Sequence, residues 1–263
     1  MSSVSTTADD TPKATPGSGL LDGLARLRRT IAEARQLPLI EIDLRCAGTA
    51  GNDPFFAHAV RRFHREATRR HRKFPLVRNY AYGFSACRLP ANFDDYFMSI
   101  EGAARRNYKK SCRLGYRFER IEYDDHLQDV TEIVRSTPVR QGKPMPESYF
   151  TRALSATRNP PSNSPLHDYP YFGILQGDRL VAYCSCLIAG DLCAIQTIYG
   201  HADRQADGVV PMMLIDVARW IMQHHPDVKF YAYGNYYGAG ETMRRFKRKF
   251  GFLPHRVRWR LGA

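Results

Sequence analysis

No Cys-x-x-Cys pair, no long apolar run and no secretory leader occurs in this chain of 263 residues. Its six cysteines (Cys46, Cys87, Cys112, Cys184, Cys186 and Cys193) are scattered, which excludes the common zinc patterns and gives an expectation of no bound metal. Cys184 and Cys186 fall two apart in an apparent strand, share one face, and read as small buried hydrophobes. The missing leader and spans lead to an expectation of a cytoplasmic protein with no membrane span.

Acids are missing where bases concentrate. The chain carries 39 Lys+Arg against 26 Asp+Glu, a net charge of +13, and the excess is clustered. Residues 61 to 78 hold eight Lys/Arg with one acid, 105 to 117 hold six with none, and 244 to 260 hold eight with none. The first two windows read as one-sided helices. Phe56, Val60, Phe63 and Ala67 form an apolar stripe opposed by Arg61, Arg62, Arg65, Arg69 and Arg72. Over 93 to 113, Phe97, Ile100, Ala104 and Tyr108 face a core, and Arg106, Lys109, Lys110 and Arg113 project away. In the third window Arg244, Arg245, Arg248 and Lys249 add to the charge. A solvated face carries both signs, so faces without acids suggest a polyanion footprint, with phosphate contacts from these side chains.

Hydrophobic residues make up 43% of the chain, ample for a core. Residues 1 to 18 are Ser/Thr/Pro-rich and read as a disordered tail, and an amphipathic helix follows over 19 to 36. "LIEIDLRC" (39 to 46) and "NYAYGFSACRL" (79 to 89) read as strands on either side of the Arg-rich helix, and residues 19 to 92 form an N-terminal extension. A second basic helix starts at Asp94, its N-cap candidate, and runs to about Arg113. "YRFERIEY" alternates as a strand, a helix covers about 125 to 136, and "RQGKPMP" is a loop. A short helix from Ser148 to Ala156 precedes the Pro-rich "NPPSNSP". Gly177-Asp178 joins two strands as a hairpin, and a third strand follows Gly190-Asp191. A helix over 209 to 224, the strand "VKFYAYG", a helix closed by Gly251 and the strand "HRVRWRL" complete the chain.

This order of elements resembles the GNAT superfamily of N-acyltransferases over residues 93 to 263. The resemblance implies an α/β fold, a mixed central sheet flanked by helices, here with an N-terminal α/β extension. It also implies a Gly-rich donor loop between a strand and a helix, which in that superfamily wraps the coenzyme A pyrophosphate. Gln205-Ala206-Asp207-Gly208-Val209-Val210 fits the first four places of that loop, with Val210 where Gly or Ala is expected. Gln205, Gly208 and Val209 are the donor-loop candidates, and Asp207 beside them would repel a pyrophosphate. The loop reads either as such a cradle or as a plain connection.

A second resemblance, to the Fem-like branch of the fold, rests on "LPANFDDYFMSIEGAARRNYKKSCRLGYRFE" and on "GAGETMRRFKRKFGF", with Phe246, Lys247, Phe250 and Gly251 at the matching places. That branch includes enzymes that draw an aminoacyl group from tRNA. The resemblance therefore implies transfer of an aminoacyl-type group from a charged tRNA to the amine of a small acceptor, with no cofactor. An acyl-coenzyme A donor (acetyl-CoA, for instance) is the alternative within the same chemistry, and a non-catalytic RNA-binding protein is the alternative outside it.

In the resembled fold the acyl carbon lies where the fourth and fifth strands splay apart. This implies a site with Gln196, Tyr199 and His201 on one side and Tyr231, Tyr233, Asn235 and Tyr236 on the other. Acyl transfer to an amine needs a neutral amine, a stabilised oxyanion and a proton for the leaving atom. His201 is the base candidate, Tyr199 and Tyr233 are proton-donor candidates, and Lys247 supplies positive charge. In "VRQGKPMPESY", Arg140 would pair with an acceptor carboxylate, Glu147 with its amine, and Gln141 lies between them.

Overall fold

The computed structural model describes residues 32–33, 35–70, 78–140 and 143–262. The expected tail (1 to 18), most of the helix expected over 19 to 36, Arg72 and Gln141 lie outside the described residues. Residues Pro38–Ala263 form one compact unit.

From residue 38 onwards the elements are β1 (Leu39–Asp43), α1 (Pro54–Thr68) and β2 (Tyr82–Arg88), followed by α2 (Phe93–Ser99) and α3 (Gly102–Arg113). Next come β3 (Tyr116–Ile121), α4 (Leu127–Arg135), the two-residue strands β4 (Val139–Arg140) and β5 (Lys143–Pro144), α5 (Ser148–Thr151) and β6 (His167–Asp168). The hairpin strands β7 (Tyr171–Gln176), β8 (Arg179–Ala189) and β9 (Leu192–Gly200) lead into α6 (Val209–His224), β10 (Phe230–Asn235), α7 (Glu241–Lys249) and β11 (Leu253–Arg260).

One mixed sheet runs in the order β1-β11-β2-β10-β9-β8-β7-β3, with β6 on β8. The β1–β11 and β9–β10 pairs are parallel and the other pairs are antiparallel. The residues expected as an N-terminal extension are therefore not set apart from the acyltransferase-like part. β2 pairs with both β10 and β11, so the 92/93 division is one of sequence and not of packing. Strand pairing is non-local, and no property of the β2 sequence names its neighbours.

Alternation in β8 divides the molecule. Cys184, Cys186 and Ile188 join the core beneath α3 and α6, whereas Leu187 and Ala189 join the core beneath α1. Helices α1 and α3 thus cover opposite faces of the sheet. In α1, Asp53 caps the helix by accepting the Phe55 N–H at 2.8 Å, and Pro54 takes the first position, where no amide donor is needed. Val60, Phe63 and Ala67 are buried as expected. Burial of Val60 and Phe63 contributes about 1.5–3 kcal/mol each. Repulsion between neighbouring arginines on the outer face costs only about 0.2–0.5 kcal/mol per pair, so packing decides that the helix forms.

The single basic helix expected from Asp94 is two helices. Asn92, not Asp94, is the N-cap of α2 and accepts the Asp95 N–H at 2.9 Å. Ile100 then turns to extended backbone, which frees the Glu101 N–H to bond the Lys249 carbonyl at 2.9 Å. The break joins α3 to the end of α7, and Ile100 and Ala104 still reach the core as the periodicity predicts.

Candidate active site: the splay between two parallel strands

β9 and β10 pair in parallel at Leu192–Phe230, Cys193–Tyr231 and Ala194–Ala232, and pairing then ends although both strands continue. Two irregularities open this gap. On β9, Ser185 pairs with Thr197 but Cys186 pairs with Ile195, so Gln196 is an extra residue, a bulge that bends the strand. On β10, the register with β2 shifts between Ala232 and Asn235, and Gly234 takes φ +58°, which favours glycine.

A cleft of about 1050 Å³ occupies this opening. Ala194, Gln196, Tyr233 and Asn235 line it from the sheet. Helix α1 contributes His58, Arg62, Arg65 and Glu66, its C-cap contributes Arg69, and α7 contributes Met243 and Lys247. Thr157, Asn159 and Tyr169, from the chain leading into β7, also line the cleft, and Asn159 is held by the Tyr169 carbonyl at 2.8 Å.

Lys247 is the chemically unusual group. It is 4% exposed, and among the described residues no carboxylate lies within ion-pair distance of it. Its ammonium instead donates to the Tyr233 and Asn235 carbonyls, which the β10 kink turns toward it, and it stands 4.8 Å from the Tyr233 ring centre. An ammonium has three N–H donors, so one remains for the cleft. Burial pulls its pKa down to about 8. Burial pushes the neighbouring Tyr233 phenol up, which keeps it neutral.

Gln196, Tyr233, Asn235 and Lys247 therefore line one cleft, whereas Tyr231 is fully buried in the core and the other site candidates lie elsewhere. Tyr199 is on β9 but further along, covered by Tyr183 at 5.8 Å and by the Arg140 guanidinium at 5.0 Å. His201 is not placed as a base for this cleft: its Nδ1 accepts the Asp203 N–H at 3.3 Å and caps the turn before α6. Arg140 is not free for an acceptor carboxylate, because its guanidinium donates to the Gly200 carbonyl at 3.0 Å and to the Ile133 carbonyl. Glu147 sits exposed at the start of α5, and its carbonyl accepts amides of that turn. Tyr236 packs edge-on against Tyr237, with the Arg244 guanidinium 5.9 Å from each ring.

The donor-loop candidates form no open cradle. Gly208 has φ +85° and is buried against α3, where an added Cβ would stand 2.8 Å from the Asn107 carbonyl oxygen. Val209 is buried, and Gln205 is exposed with its carbonyl bonded to the Gly208 N–H. Ser111 donates to the Asp207 carbonyl at 2.6 Å and Lys110 to the Ala206 carbonyl at 2.8 Å. The Asp207 carboxylate stands beside the start of α6, where it accepts from the Tyr116 hydroxyl at 2.8 Å and pairs with the Lys110 ammonium at 3.5 Å, so the acid and its counter-charge both come from within the protein.

The phosphate-binding candidates divide in the same way. Arg62, Arg65 and Arg69 line the cleft, and Arg61 does not. Arg106, Lys109 and Arg113 are exposed on α3, with no ion pair among the described residues, whereas Lys110 is engaged by the loop. On α7, Arg245 pairs with Glu101 through both terminal guanidinium nitrogens, Arg244 holds the Ala239 and Tyr237 carbonyls, and Arg248 and Lys249 form no ion pair among the described residues. His58, Asn159 and Tyr169 belong to the cleft without having been expected there. Of the three, His58 had a signal, since it continues the Arg62–Arg65–Arg69 helical stripe one turn earlier.

The splayed parallel pair, the bulge on its first strand and the flanking helices belong to a mixed α/β fold with one central sheet covered by helices. Neither family models nor curated proteins give a match. Among solved structures the chain is similar to FemX (12% identity, TM-score 0.49, covering 66% of this chain and 59% of that one). It is also similar to L-PGS from Bacillus licheniformis (12%, TM-score 0.42, 65% and 56%). A third similarity is to a tandem GNAT protein from the clavulanic acid biosynthesis pathway (13%, TM-score 0.38, 54% and 43%). The chain spans less than two thirds of the length of each of these structures. Among the described residues no helix is long and apolar enough to cross a membrane, and no group of metal-binding side chains occurs.

Proposed function

We propose that this protein is an acyltransferase that moves an aminoacyl group from a charged tRNA to the amine of a small acceptor. The observation that carries this reading is a contrast along the second half of β9 and the turn that follows it: an open, cationic cleft at the splay, and a closed, acid-bearing turn before α6. A coenzyme A pyrophosphate would have to displace α3 and lie beside the Asp207 carboxylate. A tRNA ester needs neither change.

The chemistry then uses what the cleft holds. The ester carbonyl lies between the Gln196 bulge and Lys247, and the amine attacks its carbon. Charge builds on the carbonyl oxygen, where the remaining Lys247 N–H stabilises it. The C–N bond forms, the C–O bond to the ribose breaks, and the ribose oxygen leaves with the proton that the amine loses. Because the leaving hydroxyl carries that proton, no imidazole is needed at the splay, which agrees with the position of His201 away from it.

Binding of bulk tRNA and of acetyl-coenzyme A to the purified protein, each at low and high salt, tests the donor. The expected result is tight tRNA binding that weakens steeply with salt, and no coenzyme A binding. Coenzyme A binding with little affinity for tRNA would overturn the reading.

A further inference from the structure

The basic residues form two stripes with the same spacing on opposite faces of the sheet. Arg62 and Arg65 on α1 and Arg69 at its C-cap follow one another at i, i+3 and i+7, and Arg106, Lys109 and Arg113 do so on α3. Val60 and Phe63 fasten α1 to the core under Leu187 and Ala189, whereas Ala104 fastens α3 to the core under Cys184 and Cys186. No compact ligand can touch both stripes at once.

Their surroundings differ as well. The α3 stripe is exposed, and the Glu101–Arg245 pair and the Glu101–Lys249 backbone bond join it to α7, where Arg248 and Lys249 extend the charge. This is a broad, open surface of the kind that phosphate backbones contact. The α1 stripe lines the concave cleft beside Gln196 and Lys247, and concave sites take small molecules. It is also interrupted: the Glu66 carboxylate faces the same cleft and holds Arg69 at 2.6 Å, with the Asn79 amide on it at 2.9 Å. A phosphodiester chain running along the stripe would meet that carboxylate, whereas one anionic group at Arg62 and Arg65 would not. These two arginines are exposed, one turn apart, and make no ion pair with a described residue.

We infer that the two stripes serve different substrates: Arg62 and Arg65 hold an anionic group, phosphate or carboxylate, on the small amine acceptor, and the α3–α7 surface holds the tRNA. The assignment of the second surface rests on the proposed tRNA donor, and that of the first does not. The acceptor is then a small molecule with an amine and an anionic group spaced to reach from the α1 arginines to the strand splay.

Two variants of the full chain separate the roles, R62Q/R65Q and R106Q/K109Q/R113Q, each with thermal unfolding as a check of fold. Each is titrated with inorganic pyrophosphate, with citrate and with bulk tRNA at fixed low salt. R62Q/R65Q is expected to weaken pyrophosphate or citrate binding at least tenfold and to change tRNA affinity less than twofold. R106Q/K109Q/R113Q is expected to do the reverse, lowering the salt slope of tRNA binding by about 1 per residue lost. A preference for pyrophosphate over citrate would assign the anionic group as phosphate, and the opposite preference as carboxylate. The inference is overturned if R62Q/R65Q weakens tRNA as strongly as the α3 variant does, since the stripes would then be one RNA footprint. It is also overturned if neither small anion loses affinity on R62Q/R65Q. If the wild-type protein binds coenzyme A and no tRNA, the donor reading fails while the pyrophosphate and citrate titrations still judge the α1 stripe.

Discussion

Lys247 is the residue on which both the proposed chemistry and a pH-dependent part of the stability turn. Its ordinary pKa near 10.4 falls to about 8 because burial disfavours the charged form. Between those values the unfolded chain holds a proton that the folded one has released, so stability rises with pH across this window. Relative to Lys247→Met, the wild type is expected to gain about 2 kcal/mol between pH 7 and 9.5, read from urea unfolding at each pH. No change in the difference would show that Lys247 keeps an ordinary pKa. Activity is expected to move the other way. Only the ammonium stabilises an oxyanion, so aminoacyl transfer falls above pH 8, and Lys247→Met lowers the rate by about 10²–10³ at pH 7. A variant with an unaltered rate would remove Lys247 from the mechanism.

At the scale of elements, the contact between α3 and the turn before α6 decides what the loop can bind. Gly208 is needed there because of its φ of +85° and because the Asn107 carbonyl leaves no room for a Cβ. Gly208→Ala is expected to cost at least about 1–2 kcal/mol from backbone strain alone, measured by urea unfolding. Ser111→Ala removes a hydrogen bond to the Asp207 carbonyl and is expected to cost about 1 kcal/mol. Neither variant is expected to gain coenzyme A binding, because the Asp207 carboxylate remains. Firm binding by Ser111→Ala, seen by calorimetry, would show that α3 alone closes the loop.

For the whole molecule, the position of β2 makes the fold indivisible at residue 92. Without β2, the β10 and β11 edges lose their shared partner, and buried Phe84 and Ala86 no longer fill the core under α1. A fragment of residues 93 to 263 is therefore expected not to fold, with a collapsed amide dispersion in its proton–nitrogen spectrum. A well-dispersed spectrum would restore the reading of residues 19 to 92 as a separable extension.

Much of this architecture is written locally. The boundaries of α6, the hairpin turns at Gly177 and Gly190 and the buried stripe of α1 follow from hydrophobic period and turn chemistry, which act between residues a few positions apart. Lys247 and the three strand residues that line the splay with it, Gln196, Tyr233 and Asn235, were legible only through the resemblance to the GNAT and Fem-like folds, because no local pattern says which strands splay or which helix residue reaches them. What tertiary structure alone decided is non-local. It placed β2 between β10 and β11, broke the basic helix at Ile100 so that Glu101 could reach α7, and pressed α3 against Gly208. It drew His201 and Arg140 into capping and carbonyl contacts, away from the cleft. It also set two arginine stripes of equal spacing on opposite faces of one sheet. Their charge is a property of the sequence, but which ligand each can touch depends on which side of the sheet its helix packs, and residues far away in the chain fix that side.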